Sequence, residues 1–314
     1  MILPLRKPHE LEACSEERRW LIEGLWADQA VGIVGGEPKC CKSFLALDVT
    51  VAVASGAPCL RRFPVAQTGP VLLFAAEDAL HVVRRRLEGI ALAARVPFTT
   101  LDIHVITAPS LRLDRPDDRT RLQETVDLLR PKLLVLDPFV RLHRADENVV
   151  AEVAPLLDYL RQLERRFHTA VLLVHHARKG AARARAGQAL RGSSELHAWG
   201  DSNLYLRRRD ETLLLTVEHR AAPSMAGLVL ELQAQDHALA LHVADPPPPP
   251  PDLPTPSVEQ RIVQALEASN DPLSLHDLRR ACRMRTATLC DALATLVATG
   301  RVLKSNLRYA PAPQ

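Results

Sequence analysis

The chain places a lysine-serine pair between an apolar run and a second apolar segment, in Val31-Gly32-Ile33-Val34-Gly35-Gly36-Glu37-Pro38-Lys39-Cys40-Cys41-Lys42-Ser43-Phe44-Leu45-Ala46-Leu47-Asp48. The first run predicts a buried strand, and the residues after the pair predict a helix. Backbone N–H groups and a helix N-terminus can surround phosphates at such a junction. The segment therefore predicts a phosphate-binding loop in an α/β protein.

The spacing gives each residue of the predicted loop a role. Lys42 is expected to reach the β- and γ-phosphates of ATP, and the Ser43 hydroxyl to hold Mg²⁺. The pattern G-x-x-x-x-G-K-[ST] has Cys41 in place of its second glycine. The added Cβ could crowd the phosphates and reduce affinity or rate. A strand–helix turn that contains Lys-Ser by chance is the alternative. The predicted nucleotide-binding residues are Gly36, Glu37, Pro38, Lys39, Cys40, Cys41, Lys42, Ser43 and Phe44.

Size and composition are those of an ordinary globular protein. The 314 residues are 47% apolar and 25% charged, with a formal net charge of +3, too small to indicate a nucleic-acid partner without local basic patches. The six cysteines do not form paired C-x-x-C motifs, which argues against a zinc site. No segment is apolar enough to predict a signal peptide or a membrane span. We expect a cytoplasmic protein with reduced thiols.

Short apolar runs alternate with helical patterns up to about residue 200, which predicts a doubly wound, mostly parallel sheet with helices on both faces. Four further runs after residue 200 predict a more antiparallel extension. The predicted strand–helix pairs are Val31–Val34 with Lys42–Ser55, Val71–Phe74 with Leu80–Ala94, Ile103–Ile106 with Asp118–Leu129, and Leu133–Leu136 with Val149–Phe167, followed by strand Val171–Val174.

A proline run divides the chain. We predict an ATPase domain at residues 1–245, a semi-rigid polyproline linker at 246–256 and a small domain at 257–314. In the last, three helical patterns precede two short strands, Arg301–Leu303 and Leu307–Tyr309. This order predicts a winged helix-turn-helix.

Three polar groups follow predicted strands, at the edge where α/β sheets bind ligands. Glu77 could polarise the water that attacks the γ-phosphate, although a helix-start glutamate is also common there. Asp137 ends an apolar strand, as expected of a second Mg²⁺-site group, and alone it is weak evidence. His176, the second of a histidine pair, could sense the γ-phosphate; a metal site is the rival interpretation.

Together these segments resemble the RecA-type core, especially the plasmid RepA-type and DnaB-type hexameric helicases and their AAA_25-like relatives. The resemblance covers roughly residues 15–245, and its motifs indicate the superfamily, not one activity. It rests also on Ala76-Glu77-Asp78-Ala79-Leu80, Arg191-Gly192-Ser193-Ser194-Glu195-Leu196 and Val217-Glu218-His219-Arg220-Ala221-Ala222-Pro223.

The resemblance implies a basic finger that reaches the γ-phosphate held by a neighbouring subunit. Arg220 matches the second basic position of the family, whereas the first is Glu218 and the alternative RepA-type position is Asp201. Arg220 is therefore the candidate trans-acting arginine, with a surface salt bridge as the alternative role. Such an arrangement requires a homo-oligomer, expected to be a hexameric ring or a filament.

Two regions suggest contact with DNA. A basic, small-residue-rich loop follows the histidine pair, and in this fold class it faces the central channel, where it would hold single-strand phosphates without reading bases. A solvated basic loop is the alternative. The second region is the small domain, where protein contact is the alternative to duplex DNA. The candidate DNA-binding residues are Arg178, Lys179, Arg183, Arg185, Arg283, Arg285, Lys304 and Arg308.

These observations favour an oligomeric Mg²⁺-dependent ATPase that acts on DNA, most specifically a replicative helicase or translocase of a mobile element. The alternative is an ATP-gated DNA-binding adaptor or regulator that hydrolyses weakly or not at all. Cys41 and Glu218 favour the regulator; Glu77, Asp137 and Arg220 favour the motor.

Overall fold

A computed structural model describes residues 3, 5–10, 19–176, 194–209, 212–235, 238–244, 257–269, 271–282, 284 and 286–312. The chain divides into two compact units, Met1–Asp245 and Pro246–Gln314. The whole predicted linker, including the proline run, lies outside the described residues. In the described part of the chain no helix is long and apolar enough to cross a membrane.

In the part of the chain that the structure describes, the first unit is built on a nine-stranded sheet in the order β11-β10-β9-β8-β3-β7-β6-β4-β5. Neighbouring strands are parallel from β8 through β3, β7, β6 and β4 to β5. On the other side of β8, strands β9, β10 and β11 pair in antiparallel fashion. The predicted α/β class is thereby confirmed. The strands are β3 Val31–Gly36, β4 Val71–Ala75, β5 Ile103–Val105, β6 Leu133–Asp137, β7 Ala170–His176, β8 Ser202–Arg209, β9 Thr212–His219, β10 Met225–Gln235 and β11 Ala238–Val243.

Helices cover both faces of the sheet, because buried apolar residues alternate along each parallel strand. Leu73 and Val135 belong to the core cluster shared with α1 and α2, whereas Leu72 and Leu134 belong to the cluster shared with α3 and α4. The helices are α1 Lys42–Ser55, α2 Leu80–Ala93, α3 Pro116–Leu129, α4 Val150–Phe167 and α5 Ser194–Trp199.

The turn from β3 into α1 depends on close backbone approach at its start and a left-handed residue at the helix end. A Cβ on Gly36 would lie 2.3 Å from the carbonyl oxygen of Leu206, so only glycine fits there. Gly56 ends α1 with φ 80°, a conformation that glycine adopts without strain. Together they fix where α1 begins and ends, and α1 has the bounds that the sequence predicts.

A buried carboxylate ties α1 to the segment after it. Asp48 is 2% exposed, accepts a hydrogen bond from the Leu60 amide at 2.7 Å and pairs with Arg61, which also donates to the Leu241 carbonyl at 3.0 Å. Burial raises the pKa of Asp48, and Arg61 acts in the opposite direction. Asp48 of α1 is therefore linked through Arg61 to strand β11.

The structure contains short strands that local patterns did not indicate. Strands β1 Trp20–Ile22 and β2 Trp26–Ala27 form a separate two-stranded sheet, and Ile22 also bridges Val65. Such short strands exist because Leu21, Ile22 and Trp26 are fully buried in the core, not because of periodicity.

The described residues of the second unit form three helices and a three-stranded sheet in the order β12-β14-β13. Ser257 begins the first helix with a capping box in which the Gln260 amide N–H donates to its side chain. A core of nine buried apolar residues, among them Ile262, Leu278 and Leu293, holds the unit together. Its elements are α6 Val258–Glu267, β12 Leu273–Ser274, α7 Leu275–Cys282, α8 Thr286–Ala298, β13 Val302–Ser305 and β14 Arg308–Pro311.

Candidate functional site

A cleft of about 300 Å³ opens at the carboxyl end of the parallel strands, above the loop between β3 and α1. It gathers groups that are far apart in sequence but meet where the strands end. Five of the predicted catalytic or metal-binding residues meet there: Lys42, Ser43, Glu77, Asp137 and His176. The full lining is Lys39, Cys40, Cys41, Lys42, Ser43, Phe44, Glu77, Asp78, Arg86, Asp137, Val174 and His176.

Lys42 is the buried cation of this cleft. Its side chain is 5% exposed, and Nζ donates to the carbonyl of Glu37 at 2.7 Å, across its own loop. Burial lowers the pKa of Lys42, while the neighbouring Cys40 and Asp137 oppose that effect. The ammonium group is held at the centre of the loop by a single backbone acceptor, which phosphate oxygens can replace with stronger charge-assisted bonds.

Ser43 and Asp137 lie side by side. The Ser43 hydroxyl is close enough to the Asp137 carboxylate to lower its pKa, and Asp137 is 9% exposed at the end of β6. Burial raises the pKa of Asp137 to about 6, and the charges of Asp78 and Glu77 act in the same direction. A hydroxyl and a carboxylate are hard oxygen ligands of the kind that Mg²⁺ prefers, and Mg²⁺ would favour the ionised carboxylate.

The helix N-terminus is open toward the cleft. Cys41 occupies the N-cap of α1, and its side chain makes no capping hydrogen bond. The first amide groups of α1 are therefore available to an anion, and the helix dipole favours one there. The residues at this end of the sheet thus fit a triphosphate with Mg²⁺: helix amides and Lys42 for the phosphates, and Ser43 and Asp137 for the metal.

Cys41 adopts a backbone conformation that glycine favours. Its φ is 62° and its ψ is 24°, in the left-handed region that L side chains rarely adopt. Such a conformation costs a non-glycine residue roughly 1 to 2 kcal/mol. The departure from the motif therefore leaves the loop path intact and introduces local strain together with a side chain in the cleft.

We expect Cys41→Gly to tighten ATP binding several-fold, because it removes a side chain from the cleft. It should also raise the melting temperature, because it relieves about 1 kcal/mol of backbone strain. Calorimetric titration with ATP and Mg²⁺, and thermal unfolding, measure the two effects. Cys41→Ala is the matched control, since it removes the sulfur but keeps the Cβ and the strain. Weaker ATP binding by Cys41→Gly would contradict this interpretation.

Glu77 is engaged by an arginine from another loop. Its Oε1 accepts a hydrogen bond from Nε of Arg141 at 2.7 Å, and the two side chains are 43% and 62% exposed. Arg141 belongs to a single helical turn, Phe139–Arg141, that directly follows β6. Exposed ion pairs contribute little to stability, so this contact can be broken at small cost. Glu77 faces the cleft but is not free in this state.

Arg86 is a cleft residue that the sequence did not reveal. It pairs with Asp78, and its guanidinium carbon lies 5.2 Å from the centre of the Phe44 ring. Helix α2 carries three consecutive arginines. Which of them enters the cleft depends on how the helix is rotated about its axis relative to the sheet. The aromatic residue after Ser43 and the aspartate after Glu77 were the available signals.

The histidine pair at the end of β7 splits between two environments. His176 lines the cleft, as predicted, whereas His175 is 1% exposed and lies 3.6 Å from Glu147 and against Phe139. Within the described ranges, no group of three or more His, Cys, Asp or Glu side chains is arranged to hold a metal. Strand alternation explains the split, because neighbouring residues point to opposite faces.

The two loop cysteines do not have the acidity that a phosphate loop suggests. An electropositive loop is expected to lower thiol pKa values. Burial instead raises the pKa of both Cys40 and Cys41, and it outweighs the nearby cations Lys42 and Arg208. Cys40 is 1% exposed. Neither thiol is therefore acidic in this state.

Arg220 lies at the opposite end of the sheet from the cleft. Its amide donates to the Asp201 carbonyl at 2.9 Å, and the Asp201 amide donates to the Val31 carbonyl at 2.8 Å, at the start of β3. The six residues of β3 separate this level from the phosphate loop by about 17 Å. The Arg220 side chain is 55% exposed, lies 3.4 Å from the Asp201 carboxylate and donates to the carbonyl of Ala198.

The predicted DNA-binding residues are only partly described. The basic loop, with Arg178, Lys179, Arg183 and Arg185, lies outside the described residues, as do Arg283 and Arg285. Lys304 and Arg308 lie on the strands of the second unit. Nζ of Lys304 lies 5.7 Å from the centre of the Tyr309 ring, and Arg308 donates to the Pro272 carbonyl at 3.3 Å.

Two solved structures are similar to this chain. The crystal structure of the RadB recombinase matches with a TM-score of 0.51 and 18% identity, over 69% of this chain and 92% of that one. A KaiC-like protein of Pyrococcus horikoshii OT3 matches with a TM-score of 0.47 and 13% identity, over 71% and 93%. The first likeness confirms the RecA-like fold.

A family model described as an AAA domain matches residues 3–182, more than half of the chain. The matched region contains the phosphate loop, Glu77, Asp137 and the histidine pair. Nucleotide hydrolysis is the general activity of P-loop ATPases of this kind. The chain belongs to the AAA_25 family.

Proposed function

We propose that this protein is an oligomeric, Mg²⁺-dependent ATPase that acts on DNA, most specifically a RepA-like replicative helicase or translocase of a mobile element. One observation carries the proposal. Lys42, Ser43, Glu77 and Asp137 meet in one cleft, whereas Arg220 lies about 17 Å away along β3. The site therefore has the groups for holding a triphosphate, and its candidate arginine can serve only a neighbouring copy.

Within one copy, the cleft residues divide the work of hydrolysis. The helix amides and Lys42 hold the phosphates, and Ser43 with Asp137 would hold Mg²⁺, which neutralises charge on the phosphate oxygens. Glu77 orients and deprotonates the attacking water once it leaves Arg141. His176 is the last residue of β7 and directly precedes the basic loop. There it senses the γ-phosphate and relays its presence to that loop.

Arg86 adds a second cation to the same cleft. Asp78 neutralises it in this state, and Phe44 supports its guanidinium group. Arg86 thus lies beside the phosphate loop while Asp78 balances its charge. We expect the guanidinium to shift toward phosphate oxygens when nucleotide is present, because a polyanion competes strongly with one partly exposed carboxylate.

The neighbouring copy completes the site. A planar guanidinium stabilises the spread charge of the phosphoryl transition state better than a point charge, which suits Arg220 for that role. A cleft at one end of the sheet and a finger at the other make a heterologous contact, which closes into a ring or continues as a filament. The matching RadB protein is a recombinase, and that activity is compatible with a role of this chain on DNA.

DNA contact rests on two basic regions. The loop after His176 carries Arg178, Lys179, Arg183 and Arg185, which suit the phosphates of a single strand in a channel. The order of helices and strands in the second unit supports a winged helix-turn-helix, and Lys304 and Arg308 would lie on its wing. Its Leu303 and Leu307, 53% and 79% exposed, favour protein contact as the alternative for the wing.

A regulator with weak hydrolysis is the second candidate function. The strained Cys41 in the loop and the ion pair that occupies Glu77 favour it. Glu218, at the first finger position of the family, faces His197 at 3.8 Å and supplies no cation. In that case ATP would control DNA binding and partner recruitment, and turnover would be slow with or without DNA.

Hydrolysis measured with and without single-stranded DNA separates the two functions. We expect stimulation on the order of tenfold and displacement of an annealed strand by the motor. Neutralising Arg183 and Arg185 to Gln should remove the stimulation, whereas the same change at Arg165 and Arg166, exposed on α4, should not. An ATPase rate that ignores DNA, with no strand displacement, would leave the regulator as the better account.

A further inference from the structure

The carboxylate of Asp201 receives two arginines at the end of the sheet opposite the cleft. Arg161 donates to it through both terminal nitrogens, one of them at 3.2 Å, and Nη1 of Arg220 lies 3.4 Å from Oδ1. The backbone amide of Val31 also donates to Oδ2, at 3.3 Å. Asp201 therefore joins the start of β3, helix α4 and Arg220, which is more than an isolated surface ion pair does.

Strand register brings Asp201 and Arg220 together. Asp201 directly precedes β8 and Arg220 directly follows β9, and these strands pair with Ser202 opposite His219. The Asp201 amide donates to the Val31 carbonyl at 2.8 Å, and the Asp201 carbonyl accepts from the Arg220 amide at 2.9 Å. The two side chains thus start from opposed positions that the backbone fixes.

The turn that leads to this carboxylate is tightly packed. Trp199, at the end of α5, is buried, and Gly200 follows it. A Cβ on Gly200 would lie 2.0 Å from Oδ1 of Asn203, which accepts from the Ile33 amide at 3.1 Å. Only glycine therefore fits there, and the path of the chain into β8 is restricted on both sides.

Arg161 orients Asp201 and balances its charge. Both side chains are partly buried, and Arg161 also donates to the Trp199 carbonyl at 2.6 Å. Its guanidinium carbon lies 5.8 Å from the centre of the Trp199 ring. A planar guanidinium that contacts both oxygens of a carboxylate fixes the orientation of that carboxylate. Asp201 can then orient Arg220 without cancelling the charge of Arg220.

Arg220 keeps donors for a ligand outside its own chain. An arginine side chain has five N–H donors. Nη1 faces Asp201, and Nη2 donates to the carbonyls of Ala198 and, at 3.4 Å, Trp199. These contacts use at most three of the five N–H groups, and 55% of the side chain is exposed. The guanidinium is therefore held by its inner donors, while the others can reach a phosphate oxygen.

We propose that Asp201, oriented by Arg161, is a positioning residue that directs Arg220 toward the phosphates held by the next copy. The inference rests on the proposed function, because it requires that Arg220 acts on a neighbouring site. Asp201 touches no phosphate. It reduces the conformational entropy that the long arginine side chain would otherwise lose on assembly. A misplacement of about 1 Å can cost roughly 100-fold in rate, so the direction of this side chain matters.

Steady-state hydrolysis and calorimetric ATP titration of the full chain test the role. We expect Asp201→Asn to lower kcat on the order of tenfold or more and to leave ATP affinity unchanged, because the cleft of the same chain lies about 17 Å away. Glu164→Gln is the matched control. Glu164 lies 3.7 Å from Arg161, so this change removes a carboxylate from the same arginine but keeps Asp201. Its kcat should equal that of the wild type.

An unchanged kcat of the Asp201→Asn protein would overturn the proposal. A higher kcat would overturn it as well, because Asp201 would then restrain Arg220 instead of directing it.

Mixed oligomers separate positioning from a general loss of structure. Asp201→Asn protein mixed with Lys42→Ala protein should regain hydrolysis, because the Lys42→Ala copies supply a well-placed Arg220. Mixed with Arg220→Ala protein it should regain none, because neither copy supplies one. Adding Asp201→Asn to Arg220→Ala should lower the rate little further, since Asp201 acts through Arg220. Recovery with Arg220→Ala, or additive losses in the double variant, would overturn the proposal.

Asp201→Glu provides the test if the asparagine variant does not unfold cooperatively. It keeps the charge that Arg161 requires and moves the carboxylate by one methylene group, so it should fold and still lose kcat several-fold. A wild-type kcat of this folded variant would overturn the proposal. If Arg220→Ala is impaired and the Asp201 variants are not, only the positioning role is wrong. If Arg220→Ala also hydrolyses ATP at the wild-type rate, the proposed trans-acting arginine fails as well.

Discussion

Lys42→Ala protein is expected to lose ATP hydrolysis by at least about 100-fold and to lose nucleotide-dependent assembly. The buried ammonium group is the central cation of the phosphate loop, and it is held by a loop carbonyl that phosphate oxygens can displace. Removing one preorganised donor from a closed site typically costs that much in rate, and here the donor carries a full charge. Steady-state hydrolysis and calorimetric ATP titration measure the loss.

The matched control lies in the same loop. Lys39 has the same charge but an exposed side chain, so Lys39→Ala should reduce binding far less than Lys42→Ala. Both variants should unfold cooperatively at temperatures close to that of the wild type, because neither side chain fills the apolar core. Wild-type hydrolysis by Lys42→Ala would remove the phosphate-loop assignment.

Arg220→Ala is expected to keep ATP binding and to lose hydrolysis, by as much as the roughly 10³- to 10⁵-fold that a trans-acting arginine can contribute. The side chain lies at the far end of β3 and cannot reach the cleft of its own chain. Binding should be spared because the loop, Lys42 and the metal groups are unchanged. ATP titration and single-turnover hydrolysis separate binding from chemistry.

Mixing two inactive variants tests whether the arginine acts on a neighbour. Lys42→Ala subunits supply an intact Arg220, and Arg220→Ala subunits supply an intact cleft, so a mixed oligomer contains complete sites at some of its interfaces. Partial recovery of hydrolysis is expected on mixing. Assembly without any recovery would show that Arg220 does not serve a neighbouring site.

The alternative role of Arg220 makes a different prediction. It pairs with Asp201, which also binds Arg161, and an exposed pair of this kind contributes under about 1 kcal/mol to stability. If that contact were its whole function, Arg220→Ala would lower the melting temperature slightly and leave hydrolysis unchanged. The two roles are therefore separated by one rate measurement.

Much of the parallel core could be predicted from local patterns. Helix α1 begins and ends where predicted because the glycine-rich turn before it and Gly56 after it both restrict the backbone. The apolar runs of β4, β6 and β7 fix their strands because each is buried on both faces. Strands β1, β2 and β12 are two or three residues long and depend on distant partners, so no local pattern indicates them.

The sequence predicts the cleft residues that directly follow strand ends. It does not predict the contacts that join segments far apart in the chain. Lys42, Ser43, Glu77 and Asp137 come together because parallel strands end at one edge. The contact of Glu77 with Arg141 spans 64 positions, and the entry of Arg86 depends on the rotation of α2. The raised pKa values of the Cys40 and Cys41 thiols follow from burial, which the local sequence does not give and which outweighs the nearby cations.

We expect two properties of the molecule together. The loop between β3 and α1 binds the triphosphate of ATP, and a second copy of the chain completes the binding site. The most direct measurement of both is the molar mass of the purified full chain in solution with Mg²⁺ and a non-hydrolysable ATP analogue, and without them. We predict saturable nucleotide binding and a nucleotide-dependent rise in mass to a defined oligomer. A chain that binds no nucleotide and stays monomeric under both conditions would contradict the account.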